Sequence, residues 1–402
     1  MRKYRNMEPT LKKLLSEVLR QPTAPFRETW TRAKFLHTCL EHSLKHWLDP
    51  IGNLWLGVEN LSEAKRTELL LVAHLDHPGF VVNRFFEKKT KHRTRRYAEA
   101  QWLGGGPMEI RNFGVTIFSD FHAGVKFGGT IVEAEKAKRS IGRALIELED
   151  SPERNPMISS IVAAPKQSLR DLGPWGACLN YKECPDGVKF SNGECITKAA
   201  DDLVGACAIT AAFLDSNPAR RVAACLTRAE ESGFHGALEI LNKKWLNPTR
   251  TKMISIETSA WRAGAELGKG PVVRQGDRVS LFDHSLVEQI ESMAIALKKK
   301  NKDFTYQKRV MDGGACEASA FRVFGFEVAG VSTPLGNYHN IDPHLRAKPE
   351  IVRTNDVEGL YWLLCEIIEN FSNAQFQRLK AKPLAQFGKE ILRNHRAHTK
   401  FF

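Results

Sequence analysis

The sequence predicts an α/β fold, a mixed and mostly parallel sheet sandwiched by helices, with a small β-barrel-like domain inserted into it. Residues 69–73, LLLVA, are uniformly apolar, which is typical of a strand covered on both faces. Strand patterns follow at residues 221–227, 252–257 and 327–333, and helical patterns separate them. Between residues 81 and 193, short β-like runs and glycine turns replace this alternation, which indicates a separate β-rich unit.

We therefore expect two domains in this chain of 402 residues, which is long enough to bury a large core. Residues 1–80 and 194–402 are predicted to form one discontinuous domain, and residues 81–193 to form the inserted one. The predicted helical patterns cover residues 8–48, 201–214, 234–243, 284–300 and 355–371.

The composition limits the class of protein. No apolar run approaches the roughly 18 residues that a transmembrane helix requires, so we expect no membrane partner. The basic N-terminus has no apolar signal-peptide core and is typical of an amphipathic helix, so a cytoplasmic location is expected. The eight cysteines form no Cys-x-x-Cys pair, which argues against a zinc ribbon or a thioredoxin-like site.

The formal net charge of +13 raises the question of a nucleic-acid partner. The basic residues cluster in three segments, FFEKKTKHRTRRYAEA, LKKKNK and RNHRAHTKFF, which we interpret as a loop and two helix ends. No aromatic-interleaved RNA-binding pattern and no recognition-helix motif accompanies them. We therefore do not expect nucleic acid as a partner.

Ionisable residues stand at the ends of the predicted strands. His74 and Asp76 follow the first apolar strand two residues apart, so both side chains point to the same side if the extended geometry continues. Ligands of open α/β sheets bind at the carboxyl ends of the strands, so such groups are expected to converge. The other groups at strand ends and at the start of the next helix are Glu230, Glu231, Glu257, His339, Asp201 and Asp202.

The two histidines and three of these carboxylates would provide only nitrogen and oxygen ligands and no thiolate. Such a ligand set suits a pair of zinc ions, or of cobalt or manganese ions. A two-metal site needs one carboxylate between the ions, and Asp201 at a helix start is a natural bridge. Glu230 and Glu231 leave their strand in different directions, so one can bind a metal while the other faces the water between the metals as a base. The sequence thus predicts a two-metal hydrolytic site.

Six segments then complete a recognisable order: PTAPFRE, DPIGNL, AHLDHPGF, KAADDLVG, AEESGFHGA and NYHNIDPHLRAKPEIV. Over roughly residues 8–372 this order resembles the glutamyl-aminopeptidase, or tetrahedral aminopeptidase, family of co-catalytic dinuclear zinc exopeptidases. The resemblance implies a metal-dependent aminopeptidase that removes N-terminal residues from short peptides. It also implies a lid-like or assembly role for the inserted domain and a large homo-oligomer.

The resemblance also assigns roles to residues. His74 and Glu257 would bind one zinc, Glu231 and His339 the other, and Asp201 would bridge them. Glu230 would be the general base, and Asp76 would hold His74 in its metal-binding tautomer. Glu317, in the glycine-rich MDGGACEASAF segment, is a candidate for contact with the substrate amine.

Four positions depart from the family pattern, and one of them is Glu317, which stands where aspartate is common. Glu257 stands where aspartate is usual, Leu203 where arginine is common, and His77 where glutamate is common. Relatives with glutamate at the position of Glu257 include carboxypeptidases and deacylases. The alternatives to an aminopeptidase are therefore an N-acyl amino acid deacylase or carboxypeptidase, which would also act on amides, and a non-catalytic scaffold or basic binding protein.

Overall fold

The structure is a computed structural model that describes residues 7–89, 91–122, 124–137, 140–149, 174–261, 264–311, 314–372, 389 and 391–393. It contains one large mixed sheet flanked by helices and one closed six-stranded barrel. The predicted fold class is confirmed. Within the described residues, no helix is long and apolar enough to cross a membrane.

Parallel strands form the centre of the large sheet. Four neighbouring strands run in the same direction, and in spatial order they are β12 (Val222–Thr227), β3 (Leu69–His74), β13 (Lys252–Ala260) and β16 (Glu327–Gly336). The strand pairs outside these four are antiparallel, except that β14 (Val272–Gly276) and β15 (Gln307–Val310) pair in parallel. The strands of this sheet are β1 His46–Leu48, β2 Leu54–Leu56, β3 Leu69–His74, β10 Val188–Ser191, β11 Glu194–Thr197, β12 Val222–Thr227, β13 Lys252–Ala260, β14 Val272–Gly276, β15 Gln307–Val310, β16 Glu327–Gly336 and β17 Glu350–Arg353.

Helices cover the large sheet. The described helices are α1 Pro9–Val18, α2 Thr29–Glu41, α3 Leu61–Ala64, α4 Leu203–Asp215, α5 His235–Asn242, α6 His284–Lys300, α7 Glu317–Val323 and α8 Thr354–Asn370. Helix α4 lies beside α1 and α8 and is buried on almost all sides, which accounts for its run of alanine and other apolar residues.

The central strands are apolar because they are covered on both faces. Every residue of β3 and β12 is buried. Their parallel register pairs Val222 with Leu69 and Thr227 with His74, so the two strands end at the same level. The groups that follow these strands therefore leave the sheet at one common edge.

The barrel lies between β3 and β10 in the chain. Its strands are β4 Gly79–Lys89, β5 Thr94–Leu103, β6 Gly114–Ser119, β7 Lys126–Lys136, β8 Ile141–Leu148 and β9 Trp175–Leu179, in the closed order β4-β5-β8-β7-β6-β9. A core of its own fills it, around Phe80, Trp102, Ile117, Ile146 and Trp175. The division of the chain at residues 80/81 and 193/194 stays a prediction, and β10 pairs with β11 of the large sheet.

One local prediction was wrong. The basic segment interpreted as a loop forms most of the β4–β5 hairpin, in which Lys88 lies opposite Arg95. Its charged side chains face solvent, where Arg84 pairs with Glu99 at 2.6 Å and Arg96 with Glu87 at 3.1 Å. Cross-strand ion pairs allow strands here without the apolar alternation that the prediction required. Of the other two basic segments, LKKKNK ends α6, and most of RNHRAHTKFF lies outside the described residues.

Candidate metal centre

His74 is the last residue of β3, and only 1% of it is exposed. Its Nδ1 lies 3.1 Å from the backbone oxygen of Asp76 and 3.7 Å from Oδ1 of the same residue. A hydrogen bond from Nδ1–H to that backbone oxygen leaves the Nε2 lone pair free for a metal. The Nδ1–H of the tautomer predicted for metal binding therefore has a hydrogen-bond acceptor. The backbone oxygen of Asp76 lies closer to it than the carboxylate of the same residue.

The carboxylate of Asp76 holds the loop that follows β12. Its Oδ1 accepts a hydrogen bond from the backbone N–H of Glu230 at 2.9 Å, and its Oδ2 accepts from that of Glu231 at 3.1 Å. Ala229, just before them, has a left-handed backbone with φ 51°. The turn sends the two glutamate side chains toward different partners, since Glu230 Oε2 lies 3.9 Å from His74 Nε2 and Glu231 Oε1 lies 3.1 Å from His339 Nε2.

Asp201 lies between the two histidines. Its Oδ1 is 3.6 Å from Nε2 of His74, and its Oδ2 is 3.6 Å from Nε2 of His339. It precedes α4 and is 4% exposed. Each oxygen of one carboxylate thus faces a different imidazole, which is the arrangement that a bridging ligand requires.

His339 lies in a 3-10 turn, Tyr338–Asn340, directly after β16. Its backbone is left-handed, with φ 53°, and the Tyr338 ring stacks on the imidazole with 3.8 Å between the ring centroids. Glu350 Oε1 accepts a hydrogen bond from the His339 backbone N–H at 2.9 Å. Glu350 Oε2 accepts from the N–H of Asp201 at 3.1 Å, so one buried carboxylate holds two of the candidate ligand segments.

Glu257 is buried on β13. Its Oε1 accepts a hydrogen bond from Ser255 Oγ at 2.8 Å. Ligand atoms of His74, Asp201 and Glu257 lie within 4.8 Å of one another, as do those of Asp201, Glu231 and His339. The structure thus brings all the predicted metal ligands and Glu230 to one edge of the sheet.

The charges of this cluster depend on each other. Burial raises the pKa of Glu230 well above its usual range, although His74 acts against the shift. Burial alone would raise the pKa of Glu231, but His339, together with His74 and His77, lowers this pKa to about 2. Burial alone would lower the pKa of His339, but Glu231 and Asp201 raise it to about 9. Positive charge close to these buried carboxylates is therefore favoured, and bound cations would supply it.

The residues present fit divalent cations. Asp201 Oδ1 is buried and has no hydrogen-bond donor among the described residues. Such a buried carboxylate oxygen costs free energy unless a cation or donor satisfies it. Imidazole nitrogens and carboxylate oxygens are ligands of zinc, cobalt and manganese. Asp201 belongs to two sets of three such groups. Each set could bind one ion, so together they suit a pair of ions.

The inserted barrel contacts the centre through the connection between β5 and β6. Trp102 Nε1 donates to the backbone oxygen of Gly105 at 3.0 Å. Gly105 lies against His339 so closely that a Cβ atom added to it would overlap the imidazole ring. This close approach therefore requires glycine at position 105, within the LGGGP segment.

Sequence reasoning missed the supporting roles of several residues. His77 is buried, with Nδ1 2.8 Å from the backbone oxygen of Asp201 and Nε2 2.9 Å from Asn340 Oδ1. Glu28 is also buried, and its Oε1 accepts from the backbone N–H of Ala229 at 3.0 Å. The motif PTAPFRE contains Glu28, but nothing in its composition shows a contact over 201 residues.

Glu317 opens α7 and is fully buried. Its Oε1 accepts from Thr227 Oγ1 at 2.7 Å, and its Oε2 has no hydrogen-bond partner among the described residues. Burial raises the pKa of this carboxyl to about 8. The predicted contact of Glu317 with a substrate amine stays a prediction.

A family model matches the middle part of the chain. The model of the M42 glutamyl aminopeptidases matches residues 184–348. That stretch contains Asp201, Glu230, Glu231, Glu257 and His339, whereas His74 lies before it. The predicted resemblance to this family is confirmed, and so is the prediction of a hydrolase that acts on peptide bonds. No curated protein sequence matches the chain significantly.

Solved structures match over nearly the whole chain. An aminopeptidase from the archaeon Desulfurococcus kamchatkensis superposes with a TM-score of 0.67 at 16% identity, covering 92% of this chain and 97% of that one. The TET1 peptidase of Pyrococcus horikoshii, which can assemble into a tetrahedron or a large octahedral shell, gives 0.62 at 19% identity, covering 89% and 99%. A TET aminopeptidase from a marine-sediment thaumarchaeon gives 0.66 at 15%, covering 91% and 98%. At these identities the matches show the fold.

Proposed function

We propose that this chain is a dinuclear metal-dependent aminopeptidase that removes N-terminal residues from short peptides. His74 and Glu257 would hold one divalent ion, Glu231 and His339 the other, and Asp201 both. The position of Asp201 carries the proposal, because its two oxygens lie at the same 3.6 Å from the two Nε2 atoms. Zinc is the proposed metal, with cobalt or manganese as substitutes.

The chain's own residues then have defined tasks. When bound, the two cations would supply Lewis-acid activation of the substrate carbonyl and of the attacking water. Glu230, whose pKa is raised by burial, can accept a proton from that water at its carboxylate and return it to the leaving amine. Asp76 fixes the backbone of Glu230 and so aims its carboxylate.

The test is metal analysis of the purified protein combined with hydrolysis assays. We expect two divalent ions per chain, loss of aminopeptidase activity on chelation, and recovery when zinc is added back. Glu230→Gln should keep the ions and lose about 10²- to 10⁴-fold in kcat, which is the range for removal of a general base. Full activity of that variant would refute the assignment of the base.

Arg274 supports a proposal about the class of substrate. It is 3% exposed, and its Nε and Nη1 have no hydrogen-bond acceptor among the described residues. It lines a cavity of about 40 Å³ together with Asp201, Glu257 and Tyr338. A buried guanidinium with free donors beside a reaction centre favours a substrate carboxylate. We therefore propose that acidic N-terminal residues are preferred.

Arg274 is also compatible with a second function. The α-carboxylate of a C-terminal residue or of an N-acyl amino acid would also fit Arg274, and Glu257 stands where the aminopeptidase pattern has aspartate. A carboxypeptidase or deacylase is therefore the second candidate. A substrate panel with aminoacyl anilides, N-acyl amino acids and blocked C-terminal dipeptides separates the two.

Replacement of Arg274 tests the substrate class. Arg274→Met should lower kcat/KM for a glutamyl anilide by about 10- to 100-fold, as expected for a charged hydrogen bond of about 1.5–3 kcal/mol. The leucyl anilide should change much less. Arg278→Met, at an exposed arginine four residues away, is the control. Equal losses on both anilides would show that Arg274 has only a structural role.

We also propose a homo-oligomer in the cytoplasm. One structural relative, PhTET1, is described as a dodecamer. Large apolar side chains are exposed on this chain, among them Val323 at 82% and Phe121 at 74%, and such groups are typical of contact surfaces when they cluster. Light scattering of the purified protein after gel filtration tests the assembly, and a monomeric mass would contradict it.

A further inference from the structure

A second cavity is lined by residues other than the candidate metal ligands. It has a volume of about 340 Å³ and opens between the end of α1, the barrel strands β6, β7 and β9, and the connection at residues 180–187. No predicted metal ligand is among the described residues that line it. The lining includes Arg20, Lys126, Cys178, Tyr181, Cys184 and Lys198.

Lys198 places a buried cation in this cavity. It is 8% exposed, and its Nζ donates to the backbone oxygen of Leu19 at 2.6 Å. Among the described residues, no carboxylate forms an ion pair with it. Within the part of the chain that the structure describes, this carbonyl is the one hydrogen-bond acceptor of Nζ, so two of its three N–H donors remain available. A buried ammonium without a counter-charge is unfavourable, so an anion that binds beside it would be stabilised.

The rest of the lining strengthens this positive character. Lys126 and Arg20 are exposed and add two cations, against the single carboxylate of Asp186. Tyr181 is 4% exposed, and its hydroxyl has no hydrogen-bond partner among the described residues. A buried hydroxyl donor beside a buried ammonium is the combination that a bound oxyanion would satisfy.

We propose that this cavity binds a compact dianion, a phosphate-bearing or dicarboxylate small molecule. Its oxygens would accept hydrogen bonds from Lys198 and Tyr181 inside the cavity and face Lys126 and Arg20 at the mouth. The volume lies at the lower end of about 300–1,000 Å³ for small-molecule sites, so a molecule of a few heavy atoms beyond the charged groups fits. This site does not depend on the reaction at the metal centre.

Isothermal titration calorimetry of the full-length protein tests the proposal, with inorganic phosphate and with succinate as probes, at constant ionic strength set with chloride. We expect saturable binding of at least one probe. It should persist after the metals are removed by chelation, because no predicted metal ligand lines the cavity. The stronger probe identifies phosphate or dicarboxylate as the ligand class.

Variants locate the binding site. Lys198→Met should weaken binding by at least tenfold, and Lys126→Gln by a few-fold. The exposed Lys126 can be replaced without effect on the core, so this variant serves even if Lys198→Met fails to fold. Lys189→Gln, at an exposed lysine of β10 outside the cavity, should bind as the wild type does. The proposal is overturned if neither probe saturates, if chelation abolishes binding, or if Lys126→Gln and Lys189→Gln bind alike.

Discussion

The two histidines of the candidate centre are held in different ways. His74 ends a buried strand in the middle of the sheet, in parallel register with Thr227 of β12. His339 lies in a left-handed turn after β16, fixed by Glu350 and packed against Gly105 of the barrel. The first half of the centre follows from regular structure, whereas the second depends on contacts between distant segments. The His339 half should therefore be the more sensitive to changes outside the sheet.

We expect the largest loss of metal affinity and activity from a change at Asp201, which belongs to both halves of the centre. Asp201→Asn removes the shared negative charge, so both halves should lose metal affinity together. We expect activity to fall by more than the roughly 10- to 100-fold that loss of a supporting residue costs. Metal content after dialysis and kcat of the zinc-loaded variant are the measurements. A variant that keeps two tightly bound ions and most of its activity would contradict the bridging role.

The supporting carboxylates allow each half to be disturbed separately. Asp76→Asn should act on the His74 half and the general base, and Glu350→Gln on the His339 half, each by about 10- to 100-fold in metal affinity or activity. Because each carboxylate accepts from at least two backbone N–H groups, an amide in its place leaves one donor unpaired, at about 1–3 kcal/mol of unfolding free energy.

Titration of the two ions separates the halves in those variants. If each half has its own support, Asp76→Asn and Glu350→Gln should weaken different binding steps. Identical titration curves for the two variants would show that the centre responds as one unit. The difference between His74 on its strand and His339 in its turn would then not affect metal binding.

Gly105→Ala tests the contact between the barrel and His339. The added methyl group must displace the imidazole or the loop, so we expect about a tenfold loss of kcat/KM, equivalent to about 1.4 kcal/mol. Gly114→Ala is the matched control in the same barrel, because the nearest atom to its added Cβ is 4.0 Å away. If both variants were fully active, the barrel would have no part in positioning His339.

The smallest expected effect is a pH dependence of the unfolding free energy that comes from Glu28, which supports the loop after β12. Burial raises the pKa of Glu28 from its usual 4.5 to about 7. The folded state then binds this proton more tightly than the unfolded state does, so the contribution of Glu28 to stability is lost as the pH rises from about 4.5 to about 7. The slope for one proton is at most about 1.4 kcal/mol per pH unit.

Urea unfolding at several pH values measures this slope. Glu28→Gln should flatten the decline of the unfolding free energy between pH 4.5 and 7, and Glu59→Gln, at an exposed glutamate, should leave it unchanged. An unchanged slope in Glu28→Gln would show that Glu28 stays ionised in the folded protein, paired with Arg228 at 3.2 Å.

The same contrast explains how much the sequence could predict. The apolar runs of β3 and β12 and the ionisable groups after them were sufficient to place His74, Glu230 and Glu231 at one edge, because parallel strands end together. The strand pattern also placed His339 near this edge, but its assignment to one ion together with Glu231 came only from the resemblance. No periodicity in the sequence reports a left-handed turn or a carboxylate such as Glu350 that holds two distant backbones.

The residues that were missed share a physical reason. His77 and Glu28 act through partners that are distant in the chain. Arg274 lies beside Asp201 and Glu257 only because the chain folds that way. A local pattern contains no information about either kind of contact. The β4–β5 hairpin was missed because cross-strand ion pairs replaced the apolar alternation that marks a strand. Local sequence thus predicted elements and strand ends, and tertiary contacts decided the rest.

Anomalous diffraction at the zinc edge, from crystals of the zinc-loaded protein, tests the central claim most directly. We expect two peaks about 3.5–4 Å apart, one beside Nε2 of His74 and the other beside Nε2 of His339, with Asp201 between them. A single peak, or peaks that Asp201 does not touch, would contradict the shared two-metal centre.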